Sequence, residues 1–523
     1  MFLPFRERSR SRSRARSRKD ATHPSRTPGQ AVALLCVSAL AGCSKLAEPE
    51  LRSQGVGAPC RSDGECHAAR CEKGLCTVPC GREADCPAPA KCFADLCQLP
   101  IDVGALWVGV VSGGEGWTLT HQDGLEATRK ALPYVSVQFR ENIVGADAVG
   151  KTIDDFVVQG KDLILANSFS QRDAVLERAA RYPHKRFAIV AGFKNAPNVS
   201  SVFGHMEQAW YVAGRVAAAR ATRRIGVVAA LITPEVVRHV NAFTLGARAA
   251  NPTLVVEVAW LGFWYDYRGG PMDTYAGTLA RGGSERVYRE ELLAYRLLES
   301  GCEVVGHLAD NQRVTRLVER LTLEGRIHDR WGMANDNRDG CRELTPAGTA
   351  GGAAMVSCLG VPYWNWAPLY TRLIEQIHTG TWDPKVLVNE PLSAVEDSVV
   401  GFNLNPASGV DAPLVRGFLA EAAQAGPERV FTGPYATTGQ RDVEGDGVPD
   451  ATQALGPGER VSEAEFLRMC WFVEGVVEKQ NPLDPLSPDV PARVPDGQVP
   501  PPPDVLGPPG APPGVGLSCL ENR

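Results

Sequence analysis

The sequence predicts an α/β protein of two doubly wound lobes, preceded by a small disulfide-rich module. Two observations carry this. Over residues 103–480 short apolar, β-branched runs alternate with helical patterns, the signature of parallel strands with crossover helices. That span is too long for one sheet, so two lobes are expected. Ahead of it, eight of the 15 cysteines crowd between Cys60 and Cys97, which fits units too small to bury a core of their own.

The chain opens on a targeting pattern. Residues 6–19 are rich in Arg and Ser, and the apolar run Ala31–Gly42 follows. That run is too short to span a bilayer but suits a signal-peptide core. It ends in Leu40-Ala41-Gly42-Cys43, a bacterial lipobox pattern, which makes residues 1–42 a signal segment and Cys43 the lipidated N-terminus. An exported, lipid-anchored protein facing the periplasm or exterior is expected. Residues 43–58 read as a linker. Residues 1–42 hold nine Lys/Arg and two Asp/Glu; removing them from totals of 55 and 60 leaves 46 basic against 58 acidic residues. A body that acidic lacks the electrostatic footprint for nucleic acid.

Residues 59–98 contain two copies of one cysteine spacing: Cys60, Cys66, Cys71, Cys76, then Cys80, Cys86, Cys92, Cys97. Each copy has an acid just before its second Cys, Glu65 and Asp85. No CxxC pair occurs, and an oxidising compartment favours disulfides over zinc. The connectivity stays open. A spacer holding the body off the membrane is the simplest role. Of Cys302, Cys341, Cys358, Cys470 and Cys519, the preferred pair is Cys341 with Cys358.

In the body, buried strands are expected at Leu106–Val111, Asp162–Ala166, Phe187–Ala191, Ile225–Leu231, Val255–Leu261, Val304–Leu308 and Ala353–Cys358. Helical patterns lie at Asp173–Arg181, Met206–Ala221, Ser284–Ser300 and Gln312–Leu323. Ligands of open α/β sheets bind beyond the carboxyl ends of strands. The segments there carry Trp117, Phe169, Trp264 with Asp266, Asp310, Asp336 and Trp364. Flat apolar faces beside carboxylates suit a planar heteroaromatic ligand.

These stretches resemble the basic membrane protein (BMP) family of bacterial substrate-binding lipoproteins, which includes the purine-nucleoside receptors of ABC importers. The resemblance rests on GGEGWT (113–118), ANSFSQRD (166–173), AGFKNAPNV (191–199), ITPEVVRHVNAFTLGARAANP (232–252), HLADN (307–311), YWNWAPLYTRLIEQIHTGTW (363–382) and FLRMCWFVEGVV (466–477). It implies a type 1 periplasmic-binding fold, two lobes with a hinge closing over a purine-like ligand, and a membrane ABC permease as partner. It places Trp117 and Phe169 among ligand-facing aromatics of lobe one and Trp264 and Asp266 in a lobe-two loop. Asp336 falls where a carboxylate grips a ribose. Where nucleoside-binding members carry a Lys, this chain has Trp364. A second departure is a long insert around Arg268–Glu290. A sensor lipoprotein of the same fold, signalling rather than transporting, is the alternative.

Two motifs mislead. Residues 145–152 fit GxxxxGK[ST] letter for letter, but Ala146–Val149 are helix formers, so Lys151 and Thr152 should fall inside a helix rather than on a phosphate loop. Residues 442–450 resemble a calcium loop, yet a single copy reads more simply as an acidic hairpin. No catalytic constellation, metal site or cofactor is expected. The proline-rich residues 481–523 should be extended and disordered.

Overall fold

The computed structural model describes residues 55–66, 70–111, 115–264, 270–345, 350–393, 397–439, 441, 443, 453–479 and 519. The signal segment, Cys43, Asp266, the calcium-like turn apart from Val443, and the proline-rich tail apart from Cys519 lie outside the described residues.

The cysteine module is two copies of one fold. Each has a single 3-10 turn, Asp63–Glu65 or Glu83–Asp85, and a short hairpin: Arg70–Glu72 with Leu75–Thr77, or Lys91–Phe93 with Leu96–Gln98. Disulfides join the first Cys of each copy to its third and the second to its fourth: Cys60–Cys71, Cys66–Cys76, Cys80–Cys92 and Cys86–Cys97. The repeated acid has one job in both copies. Glu65 accepts the Arg61 backbone N–H at 3.0 Å, and Asp85 accepts those of Gly81 and Arg82 at 3.0 Å each. Each carboxylate thus satisfies donors at a turn too short to bond them itself.

Lobe one holds six parallel strands, in the order Val388–Glu390, Val199–Gly204, Arg186–Val190, Leu163–Ala166, Ile101–Leu106 and Val135–Arg140. Its helices are α1 (Trp117–Ala131), α2 (Ala146–Val158) and α3 (Arg172–Arg181). After the Val199–Gly204 strand the chain crosses through α4 (Met206–Ala218) into lobe two. There five parallel strands run Trp331–Met333, Val304–Leu308, Arg224–Ala229, Val255–Trp260 and Val476–Glu478. The lobe-two helices are α5 (Pro234–Ala250), α6 (Arg289–Glu299) and α7 (Arg313–Leu323). The chain returns to lobe one through the crossover strand Gly360–Trp364 and α8 (Ala367–Thr379), which packs on α1. It leaves again through Val400–Leu404, antiparallel to Gly360–Trp364. Two parallel sheets linked by three such crossings make the type 1 periplasmic-binding fold.

Several expectations shift. The first strand is Ile101–Leu106, not Leu106–Val111. The apolar run continues beyond it because Trp107 is itself buried. Ala353–Cys358 is not a sheet strand. Ala350–Ala354 pairs antiparallel with Arg342–Leu344 in a side hairpin closed by the Cys341–Cys358 disulfide. Its apolar residues bury against Ala334 and Val361 instead of a sheet. The insert contains a hairpin, Asp273–Tyr275 with Glu285–Val287. It is fixed to α6 by the buried Arg289–Asp273 ion pair at 3.0 Å and by Tyr275 stacked on Tyr295 at 3.9 Å. Cys519 is bonded to Cys470, so the tail is tethered at that residue.

Candidate functional site

The carboxyl ends of both sheets face one cleft, and the loops there are built from tight local bonding. In lobe one, Asn167 follows the strand Leu163–Ala166 and is fully buried. Its side-chain oxygen accepts the Val108 N–H at 2.8 Å, and its carbonyl accepts the Trp117 indole N–H at 2.8 Å. The Asn167 amide nitrogen is buried without a partner among the described residues, which marks a donor left for something else.

Trp117, at the first turn of α1, is half-buried. Its ring meets Trp364 edge-on at 5.7 Å and Trp366 at 5.4 Å. Trp364 stacks on Trp366 at 4.5 Å and leans on Phe203 at 4.9 Å. Trp364 is therefore mostly committed to the aromatic core, while Trp117 keeps an accessible part. Phe169 of lobe one and Trp264 of lobe two approach with ring centroids 6.4 Å apart, so the two aromatics face each other across the cleft.

Lobe two contributes acids. Thr233 caps α5, accepting the Val236 N–H at 3.3 Å, and Pro234 starts it. This puts Glu235 in the first turn, where the positive end of the helix dipole favours a carboxylate. Asp310 follows the strand Val304–Leu308, and its N–H donates to the Trp264 carbonyl at 3.0 Å. Asp336 follows Trp331–Met333; its backbone is left-handed at φ 64°, and its carbonyl accepts the Trp364 N–H at 2.9 Å.

Burial raises all three carboxyls, and the Glu235 charge adds to the other two. Burial pushes Glu235 up to about 7, with Arg238 opposing and Glu207 adding. Burial and then the Glu235 charge raise Asp310. Burial, Asp310 and Glu235 hold Asp336 well above the carboxylate range, against a hydrogen bond from the Trp364 side chain. Three acids sharing one desolvated space cannot all ionise cheaply. The raised values favour the protonated forms, which can donate as well as accept hydrogen bonds.

Of the residues singled out from the sequence, the fold brings Asp310 and Asp336 together, and sets Trp117 against Trp364 and Phe169 against Trp264. Sequence reasoning missed Glu235. A Glu after Thr-Pro reads as an ordinary helix-start acid, and only the tertiary meeting with Asp310 and Asp336 reveals more. Lys151 and Thr152 lie inside α2, as the helix-forming residues around them require, so the phosphate-loop lookalike is a helix. Among the described residues no helix is long and apolar enough to cross a membrane.

A cleft between two parallel-sheet lobes, walled by aromatics and carboxyls at strand ends, is an arrangement able to hold a small molecule. Residues 101–271 match the Bmp family, described as ABC transporter substrate-binding protein PnrA-like. The chain is 25% identical over 388 residues to a purine-binding protein of Brucella abortus, covering 72% of this chain and 93% of that one. It is 25% identical over 283 residues to a Haloferax volcanii protein named as an ABC transporter glucose-binding protein, covering 54% of this chain and 62% of the relative, less than two thirds of its length. A solved ABC transporter solute-binding protein from Conexibacter woesei aligns at a TM-score of 0.47 and 19% identity, over 62% of this chain and 97% of that one. Over residues 101–271 the chain is therefore similar to ABC transporter substrate-binding proteins of the Bmp family.

Proposed function

We propose that this protein, anchored to the membrane through a lipidated Cys43, captures a purine base or nucleoside between its lobes and delivers it to an ABC permease. The observation that supports the reading most is the pairing of accessible rings with carboxyls at strand ends. Trp117, Phe169 and Trp264 offer flat apolar faces to a planar ring. Glu235, Asp310 and Asp336, raised toward their protonated forms, match a ring edge or sugar hydroxyls that donate and accept in turn. The Asn167 amide adds a donor. The Brucella abortus relative, aligned over 93% of its length, is named for purine binding. Asp266, two residues after Trp264 in the sequence and outside the described residues, is proposed as a further ligand contact.

The test is native mass spectrometry of the full chain followed by thermal-shift measurements with adenine, hypoxanthine, adenosine, inosine and glucose. A purine-sized adduct, or a melting rise with a purine and none with glucose, supports the reading. The reverse pattern replaces the purine with a sugar, as the name of the Haloferax volcanii relative suggests.

A further inference from the structure

Glu115 stands just before α1 in lobe one, yet its carboxylate bonds to lobe two. It pairs with the Arg316 guanidinium on α7. Its Oε2 also accepts the Gln312 backbone N–H at 3.2 Å, at the start of α7 where the helix dipole favours a negative charge. Both charged side chains are largely buried, Glu115 at 15% and Arg316 at 20% exposure. Next to Glu115, Gly116 lies against the Asp310 backbone: a Cβ there would sit 2.6 Å from the Asp310 carbonyl oxygen. Gln312 continues the chain of contacts. Its Nε2 donates to the Asn335 carbonyl at 2.5 Å, and its Oε1 accepts the Asn335 N–H at 3.3 Å. Asn335 immediately precedes Asp336.

We propose that Glu115, Gly116, Gln312 and Arg316 form a closure clasp that sets Asp310 and Asp336 against Trp117 when the lobes shut. Glu115 is then a positioning residue for ligand capture, an inference that rests on the solute-binding reading above. Neither lobe needs the clasp for its own fold, since the Glu115 contacts to Arg316 and Gln312 and the Gly116 approach to Asp310 each join one lobe to the other. Opening the cleft would separate Glu115 from Arg316 and hydrate both. The pair therefore favours only the closed form, which is the condition for shifting a two-state equilibrium.

The test reads closure directly. Dyes on cysteines introduced at Val158, at the end of α2, and Leu323, at the end of α7, both exposed, report the lobe separation by energy transfer. In unliganded protein, Glu115→Gln and Arg316→Gln should each lower the closed-to-open ratio roughly tenfold, the scale of one partly buried charge-assisted bond. The double variant should be no worse than either single one. Gly116→Ala should lower the ratio with the ion pair intact. Melting temperatures within a few degrees of wild type would show that the fold is kept, and Arg316→Lys, which keeps the charge, should stay nearer to wild type than Arg316→Gln should any variant lose stability. Whichever purine binds should dissociate roughly tenfold faster from Glu115→Gln with its association rate unchanged. A wild type with no closed population, unchanged ratios, or losses that add in the double variant would overturn the clasp. If no purine binds any form, the unliganded comparison still decides the clasp. If purines bind and the ratios do not move, the clasp fails and the ligand reading stands.

Discussion

Gly214 of α4 and Gly246 of α5 meet at a helix crossing that leaves no room for a side chain on either. A Cβ on Gly214 would lie 2.0 Å from the Phe243 carbonyl oxygen, and one on Gly246 would lie 2.0 Å from that of Tyr211. Because α4 carries the chain out of lobe one and α5 belongs to lobe two, the crossing is a joint between them. Helix propensity alone would make Gly→Ala favourable by about 1 kcal/mol. Forcing the backbones apart costs about 1–3 kcal/mol or more. Gly214→Ala and Gly246→Ala should therefore each lower the melting temperature by several degrees in calorimetry. A rise would mean that the helices do not touch.

The acid cluster predicts a pH signature. Glu235 is raised to about 7, and Asp310 and Asp336 are raised with it by burial and by its charge. In the unfolded chain these groups titrate near 4. Between about pH 4 and 7 the unfolded state therefore releases protons that the folded state keeps. The stability tied to the protonated cluster is present below the unfolded values and is lost as pH rises through about 7. The charged groups felt by Glu235 are Arg238 and Glu207, and neither changes that sign. Glu235→Gln should melt increasingly above wild type as pH goes from 5 to 8. An offset that is constant across that range would show that Glu235 ionises normally.

The fold was legible where strands are buried on both faces. Leu163–Ala166, Arg186–Val190, Val255–Trp260 and Val304–Leu308 read as apolar runs because no face meets water. Val199–Gly204 did not, since Ser200 and Ser201 interrupt the run. Both are nevertheless buried, with Ser200 accepting the Trp382 indole N–H at 2.9 Å and the Ser201 N–H bonded to Asn195 at 2.7 Å. The side hairpin at Ala350–Ala354 imitates a core strand because its disulfide and Met355 form a small apolar cluster of their own. Asp310, Asp336, Trp117, Phe169 and Trp264 stand out in the sequence because each comes after a strand, whereas Trp364 ends the crossover strand Gly360–Trp364. Glu115 lies in the GGEGWT stretch with no local sign of a partner; Arg316, with which it pairs, stands 201 residues away, beyond the reach of any local pattern.

Trp117 separates ligand stacking from core packing. Its indole N–H is held by Asn167 at 2.8 Å while part of the ring stays accessible beside the Trp364–Trp366 stack. Ring stacking contributes about 1–3 kcal/mol per base. Trp117→Leu, which keeps apolar volume in the cluster, should weaken purine binding roughly 5- to 150-fold. Calorimetric titration measures this, and circular dichroism should show the fold kept. Equal affinity would place the ring in the core and move the stacking role to Phe169 and Trp264.

The last prediction concerns the disulfide that brings the tail back to the lobe-two cleft. Cys519 is buried, bonded to Cys470 across 49 residues, and its backbone N–H donates to the Ile232 carbonyl at 2.9 Å. Ile232 follows a lobe-two strand and precedes Glu235 by three residues, so the tether ends beside the acid cluster. Closing a loop of that length removes denatured-chain entropy equivalent to about 4 kcal/mol. Replacing both cysteines with Ala should lower the urea-unfolding free energy by up to about that amount. The dependence on urea should steepen, because an uncrosslinked denatured chain exposes more surface. A stability loss with an unchanged slope would place the effect in the native contacts at Ile232 rather than in the denatured chain. No loss at all would show that Cys470 and Cys519 are not joined in the folded protein.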